Sequence, residues 1–310
     1  MTRLRATCHR RGGARRRLVA LALAAFGTAG LAACGAGSSS TSPQAAPQES
    51  AHGAPAAGAG AAALPSSHVH GVGRDPADGA LYLATHDGLF RRTDTTWQRV
   101  SPVIDLMGFA VAGPGRFYAS GHPGIGVDFP QPVGLIESRD AGRSWVVRSR
   151  GGQSDFHTLT WSPKGLLGAD DVLRATTDGV TWRDLALAEQ PRAVAASPDG
   201  AKVLATTANG LRASADYGST WAPVPNSPLL LLVAWADPKT VVGVTPEGAA
   251  TVSTDAGLTW ADAGASVGAE PAALSASRTA EGKLEILVVT SKGVERSLDS
   301  GASFGSALTG

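Results

Sequence analysis

Three short pairs stand out among the residues able to ligate ions or move protons: His68-x-His70, Asp105-x-Met107 and Asp155-x-His157. Residues two apart on an extended strand point to the same side, so each pair presents two functional groups together. Two further histidines, His86 and His122, stand next to glycine-containing turns. Imidazole with a thioether suits copper, and imidazole with carboxylate suits zinc or a proton-transfer site. The candidate ligands are His68, His70, His86, Met107, His122, Asp155 and His157, with copper or zinc the implied ion. Asp105 and Asp155 are the best pair of carboxylates for glycoside hydrolysis, where their separation would set the stereochemical outcome. Taken singly, each histidine reads as a hydrogen-bonding group for its own loop, and Met107 as packing beside a channel.

For residues 68, 105 and 155 to meet, the chain must return to one place at intervals, and the sequence does repeat. The unit is Ser-x-Asp-x-Gly-x-Ser/Thr-Trp/Phe. It occurs at Ser138–Trp145, Ser214–Trp221, Ser253–Trp260 and Ser297–Phe304. Thr176–Trp182 is one residue short, and Arg92–Trp97 lacks the glycine. From Asp94 to Asp299 the aspartates are spaced by 46, 38, 38, 39 and 44 residues. Between units lie short β-branched and apolar runs separated by turns such as Asp75–Gly79, His86–Gly88 and Ser197–Gly200. Four short strands per repeat, with turn signals every 8–12 residues, suit the blade of a propeller.

The unit resembles the BNR/Asp-box repeat of sialidase-like β-propellers, over about residues 68–310. The resemblance implies an all-β six-bladed β-propeller of four-stranded antiparallel blades, with the box closing the turn between the third and fourth strands. Asp140, Asp178, Asp216, Asp255 and Asp299 then accept hydrogen bonds from turn amides and serve structure rather than catalysis. Both ends of the repeat region are in strand order, so no large strand exchange is expected where the ring closes.

Each first strand of such a blade starts at the top face, and the turn between strands two and three returns there. Aligned on their turns, the first strands place His70, Met107, His157, Arg192, Leu232 and Ala272 at one level, with His68, Asp105, Asp155, Gln190, Leu230 and Glu270 two residues earlier. All five histidines after residue 67 therefore fall on the top face of blades one to three. Blade two also carries an insertion, Gly121–Pro132, placed to act as a lid.

The family resemblance raises glycoside hydrolysis, and a classical sialidase needs an arginine cluster and a tyrosine nucleophile. Tyr82 and Tyr118 are mid-strand, Tyr217 is inside a box, and Arg192 is the lone base at the aligned top level. Sialidase activity is therefore disfavoured. A non-catalytic propeller binding a metal, a small polar ligand such as a glycan, or a partner protein ranks above a hydrolase using Asp105 and Asp155.

Residues 1–17 hold seven arginines and no acid, and the apolar run Leu18–Ala33 follows. This is the layout of a signal peptide, 1–33. Leu31-Ala32-Ala33-Cys34 resembles the lipobox of bacterial lipoproteins, which implies acylation of Cys34 and a membrane anchor on the outer side of the cytoplasmic membrane. Residues 34–66 are rich in Ala, Gly, Ser and Pro and read as a tether. The folded domain is 67–310. Without residues 1–33 the chain keeps 20 Lys+Arg against 26 Asp+Glu, a net charge of −6 where the full chain has +1. That balance argues against nucleic acid as a partner. Cys8 lies in the signal peptide and Cys34 would carry lipid, so the domain has neither disulfide nor thiol nucleophile.

Overall fold

The computed structural model describes residues 63–94 and 96–308. The expected signal peptide, Cys34 and the expected tether up to residue 62 lie outside the described residues. The described residues form 24 strands in six four-stranded antiparallel sheets, each taken from one continuous stretch of chain, with no helix among them. The fold is a six-bladed β-propeller.

The first strand of each blade is innermost. Val69–Arg74 of blade one touches Ile104–Gly113 of blade two, and contact continues through Thr158–Ser162, Ala193–Ala196, Leu232–Trp235 and Pro271–Arg278 back to blade one. These six strands surround a central channel. Second strands lie between blades and are covered on both faces. Leu81–Thr85, Val203–Thr207, Val241–Val244 and Leu284–Thr290 are accordingly buried along their whole length, and apart from Glu285 they read as apolar or small runs. The fourth strands are exposed edges. Four of them span only two or three residues, and one contains Pro223, which limits pairing with another chain.

Six apolar clusters hold the ring, one at each blade interface. Every repeat contributes its aromatic residue to the interface with the preceding blade: Trp97, Trp145, Trp182, Trp221, Trp260 and Phe304. The repeated unit thus ties each blade to its neighbour.

Within the unit the hydrogen bonds are specific. In blade two the Ser144 amide and hydroxyl donate to the two carboxylate oxygens of Asp140, at 2.9 and 2.6 Å. The Gly142 amide donates to Ser138 Oγ at 2.8 Å, and the Trp145 indole donates to the Gly142 carbonyl at 3.0 Å. Asp216 and Asp255 are engaged in the same way by Thr220 and Thr259. Each full turn needs two consecutive left-handed residues, such as Ala141 (φ 59°) and Gly142 (φ 85°). Gly142 is doubly constrained, because a Cβ there would lie 2.2 Å from Leu89 of blade one. Blade one closes its turn differently, with the Thr93 amide donating to the Thr96 carbonyl at 2.9 Å.

The ring closes without strand exchange, as expected from strand order. Val69, Val72, Leu81 and Leu83 pack on Ala273, Leu287, Val289 and Val294. Arg74 makes a bidentate pair with buried Glu285 across this seam, at 2.6 and 2.9 Å, and Arg296 adds a third bond at 2.6 Å. Leu64, assigned above to the tether, packs against the same cluster.

Candidate functional site

At the top of the channel every first strand departs from regular pairing at one level. In blade one Val69 pairs with Thr85 and Gly71 with Ala84, so His70 is an extra residue. Met107 and Ala272 are extra in the same sense in blades two and six. In blades three to five, His157, Arg192 and Leu231 each share one partner with the next residue. Such bulges bend a strand and re-aim its side chain. They set a ring of His70, Met107, His157, Arg192, Leu231 and Ala272 around the channel mouth.

The blade-five member corrects the alignment made from sequence, which put Leu232 at this level. The hairpin joining the first two strands is one residue shorter in blade five, where Trp235 pairs with Val241, than in blade four, where Ala196 pairs with Val203. Registering on the turn therefore shifts blade five by one, and Leu230, placed two residues earlier, moves with it.

Glycines bring blades one to three close together. A Cβ on Gly71 would lie 2.8 Å from Phe109 Cβ of blade two. One on Gly108 would lie 2.3 Å from the Phe156 carbonyl of blade three. One on Gly121 would lie 1.8 Å from the Asp105 carbonyl, so the strand carrying His122 sits hard against Asp105. His86 is set by the Thr85 hydroxyl, which donates to the Gly88 carbonyl at 2.9 Å and accepts from the Asp87 amide at 3.0 Å. Phe156 is fully buried, with its amide on Ser120 Oγ at 2.9 Å, and so fixes Asp155 and His157 on either side.

The result is an unbroken run of contacts through three blades. His68 Nδ1 lies 3.3 Å from His86 Nδ1. His86 Nε2 is 3.7 Å from Asp105 Oδ1, and Asp105 Oδ2 is 3.7 Å from His122 Nδ1. His122 Nε2 is 3.5 Å from Asp155 Oδ2, which lies 2.7 Å from His157 Nε2. The His70 ring stacks on His86 with centroids 4.6 Å apart. Ligand atoms of His70, His86 and Asp105 all lie within 4.8 Å of one another. The structure thus brings together His68, His70, His86, Asp105, His122, Asp155 and His157. Met107 stands on the wall of the cavity above His70 rather than in this run.

Three buried polar atoms in the cluster have no hydrogen-bond partner: His70 Nε2, Asp105 Oδ1 and Asp155 Oδ1. Burying such atoms unpaired costs stability, and a native structure rarely tolerates them without a reason. Burial, then the neighbouring His86, pushes the His70 imidazole down to about 4 against the pull of Asp105. At neutral pH it is an uncharged imidazole.

Two cavities flank the cluster. One of about 390 Å³ lies over the channel, with His68, His70, Met107, His157, Arg192 and Glu270 in its wall. The other, of about 780 Å³, is walled by His122, Asp155, His157, Asp170, Arg174 and Arg192. His157 and Arg192 belong to both. Asp170 was missed from sequence, although it directly follows the second strand of blade three, the place that His86 holds in blade one; His122, expected in the matching turn of blade two, is instead the penultimate residue of that blade's longer second strand, Arg116–Pro123, paired with Asp105. The insertion of blade two is pinned rather than free: Val127 and Phe129 pack on the core, Gly124 donates to the Val103 carbonyl, and Val133 donates to the Gly121 carbonyl. Tyr82, Tyr118 and Tyr217 are all buried between blades.

No family model and no curated protein matches the chain. Solved structures do. One is YCF48 bound to D1 peptide, at 13% identity and TM-score 0.50, covering 79% of this chain and 84% of that one. A second is the extracellular domain of a hybrid two-component system of B. thetaiotaomicron, at 12% identity and TM-score 0.54 over 80% of this chain and 34% of that one. A third is an ancestral GH74 enzyme, at 14% identity and TM-score 0.53 over 76% of this chain and 40% of that one. At such identities the shared property is the propeller fold, on which each protein places its own site.

Proposed function

We propose that this chain is an exported, lipid-anchored propeller that binds a transition-metal ion at its channel mouth, with His70, His86 and Asp105 as protein ligands. The observation that carries the reading is the meeting of three donor atoms within 4.8 Å from three separate segments, two of them buried and unpaired. A tetrahedral ion with bonds of about 2.0–2.1 Å has ligand–ligand edges of about 3.3 Å, near the 3.7 Å between His86 Nε2 and Asp105 Oδ1. His68 on His86 Nδ1 leaves His86 Nε2 to face the ion, an outer partner of the kind that orients metal-bound imidazoles. Three protein ligands leave a fourth position for solvent or a small ligand from the mouth cavity. Two imidazoles and one carboxylate suit zinc or copper, and Met107 at that cavity would bias the site toward copper if its thioether joined.

The glycoside-hydrolase alternative has less support. His122 stands between Asp105 and Asp155, where a glycosidic oxygen or water would have to sit. The carboxylate-to-amide bonding of the repeated turns supports the Asp-box reading and the sialidase-like affiliation, without conferring its chemistry.

Protein expressed with copper and zinc available, and never exposed to chelator, should carry close to an equivalent or more of one of them. His70→Ala/His86→Ala should fold and lose the ion from this position. Less than about a tenth of an equivalent in the wild type would remove the metal reading. Export is tested separately: Cys34→Ala should leave the membrane fraction, and its retention there would refute the anchor.

A further inference from the structure

We propose a second cation position beside the first, formed by His122, Asp155 and His157 and tied to the first through Asp105. The inference rests on the metal reading above and extends it. Asp155 is the centre of this group. Its Oδ2 faces His122 Nε2 at 3.5 Å and His157 Nε2 at 2.7 Å, while its Oδ1 is buried without a partner. The His122 spacing is near a coordination edge of about 3.3 Å. His157 now hydrogen-bonds Asp155, but its side chain is 60% exposed on a bulged strand end, so the ring has room to turn onto an ion.

Asp105 serves both positions. Its Oδ1 belongs to the first, opposite His86 Nε2. Its Oδ2 faces His122 Nδ1 at 3.7 Å, so His122 lies between the two carboxylates with Nε2 turned toward Asp155. A carboxylate behind a metal-binding imidazole is a common orienting device. Each position also has its own access. His68 and His70 wall the cavity over the channel, and His122 and Asp155 wall the larger cavity beside it. Like charges held close repel, so the second ion should bind more weakly than the first.

The test is zinc stoichiometry. Chelator-stripped full-length protein, titrated with zinc chloride in a calorimeter, should take up two equivalents in two steps. His157→Ala and, separately, Asp155→Asn should each take up one, with the tighter step kept and the thermal unfolding midpoint near wild type. His122→Ala should behave likewise. One equivalent in the wild type would overturn the second position and leave the first standing. Loss of both steps in folded His157→Ala would mean one shared site, and would also overturn it. No uptake by the wild type would remove both readings.

Discussion

Gly71 carries more of the site than any histidine's neighbour in sequence would indicate. Its missing side chain lets Phe109 of blade two come within what would be 2.8 Å of a Cβ, and this narrows the gap that His86 and Asp105 bridge. Gly71→Ala should cost about 1–3 kcal/mol, as for overpacked interiors, and should weaken metal binding about tenfold by spreading its ligands. Denaturant unfolding and metal titration on the same variant check both; unchanged affinity with reduced stability would mean that blade spacing does not set the site. The histidine positions were legible because the repeat period fixes which residues share a level. The glycine contacts were not, since close approach between blades depends on packing that no single repeat contains. Nor was the bulged level, because a two-on-one pairing leaves no mark in a strand only four to ten residues long.

The repeated turn is the element that the sequence states most plainly, and its physics is electrostatic as well as steric. Asp216 is drawn down to about 2 by the Thr220 amide and hydroxyl and by Ser214, and Asp255 and Asp299 to about 2 by the matching Thr259 and Ser303 groups. A carboxyl held below its unfolded value of about 3.9 adds stability that is complete above that pH. The contribution is lost as pH falls toward 2. Because four full turns repeat the device, acid unfolding should fall mainly between about pH 4 and pH 2. Asp216→Asn removes one titrating group, so its stability should depend less steeply on pH across that window, as thermal melts at a series of pH values would show. A slope equal to wild type would assign acid sensitivity elsewhere, with buried Glu285 the next group to change. The worn first copy shows the limit of reading the motif: Asp94 sits at the expected place, yet Thr93 and Thr96 hold that turn.

Across the whole molecule, the order of strands made the number of blades and the absence of strand exchange legible, because each unit is complete in sequence. It did not reveal what closes the ring. Without a shared sheet, blades one and six are joined by an apolar seam, the Arg74–Glu285–Arg296 group and the Arg92 guanidinium on the Leu308 carbonyl. Burial alone would raise the Glu285 carboxyl, and the two guanidiniums carry it below its ordinary value, so it is charged in the seam. Removing one partner of a buried charge costs more than a surface pair is worth, although Arg296 still compensates Glu285 when Arg74 is lost. Arg74→Ala is therefore expected to cost about 1–3 kcal/mol, and Leu287→Ala, which empties a fully buried place, about 2–5 kcal/mol. The two changes flank one seam, so they should also act on the same local opening. Hydrogen exchange in either variant should speed up first in Leu81–Thr85 and Leu284–Thr290, with the second strands of blades three and four still protected. Uniform acceleration around the ring would instead mean that the propeller opens as one unit, and that closure is no weaker than any other interface.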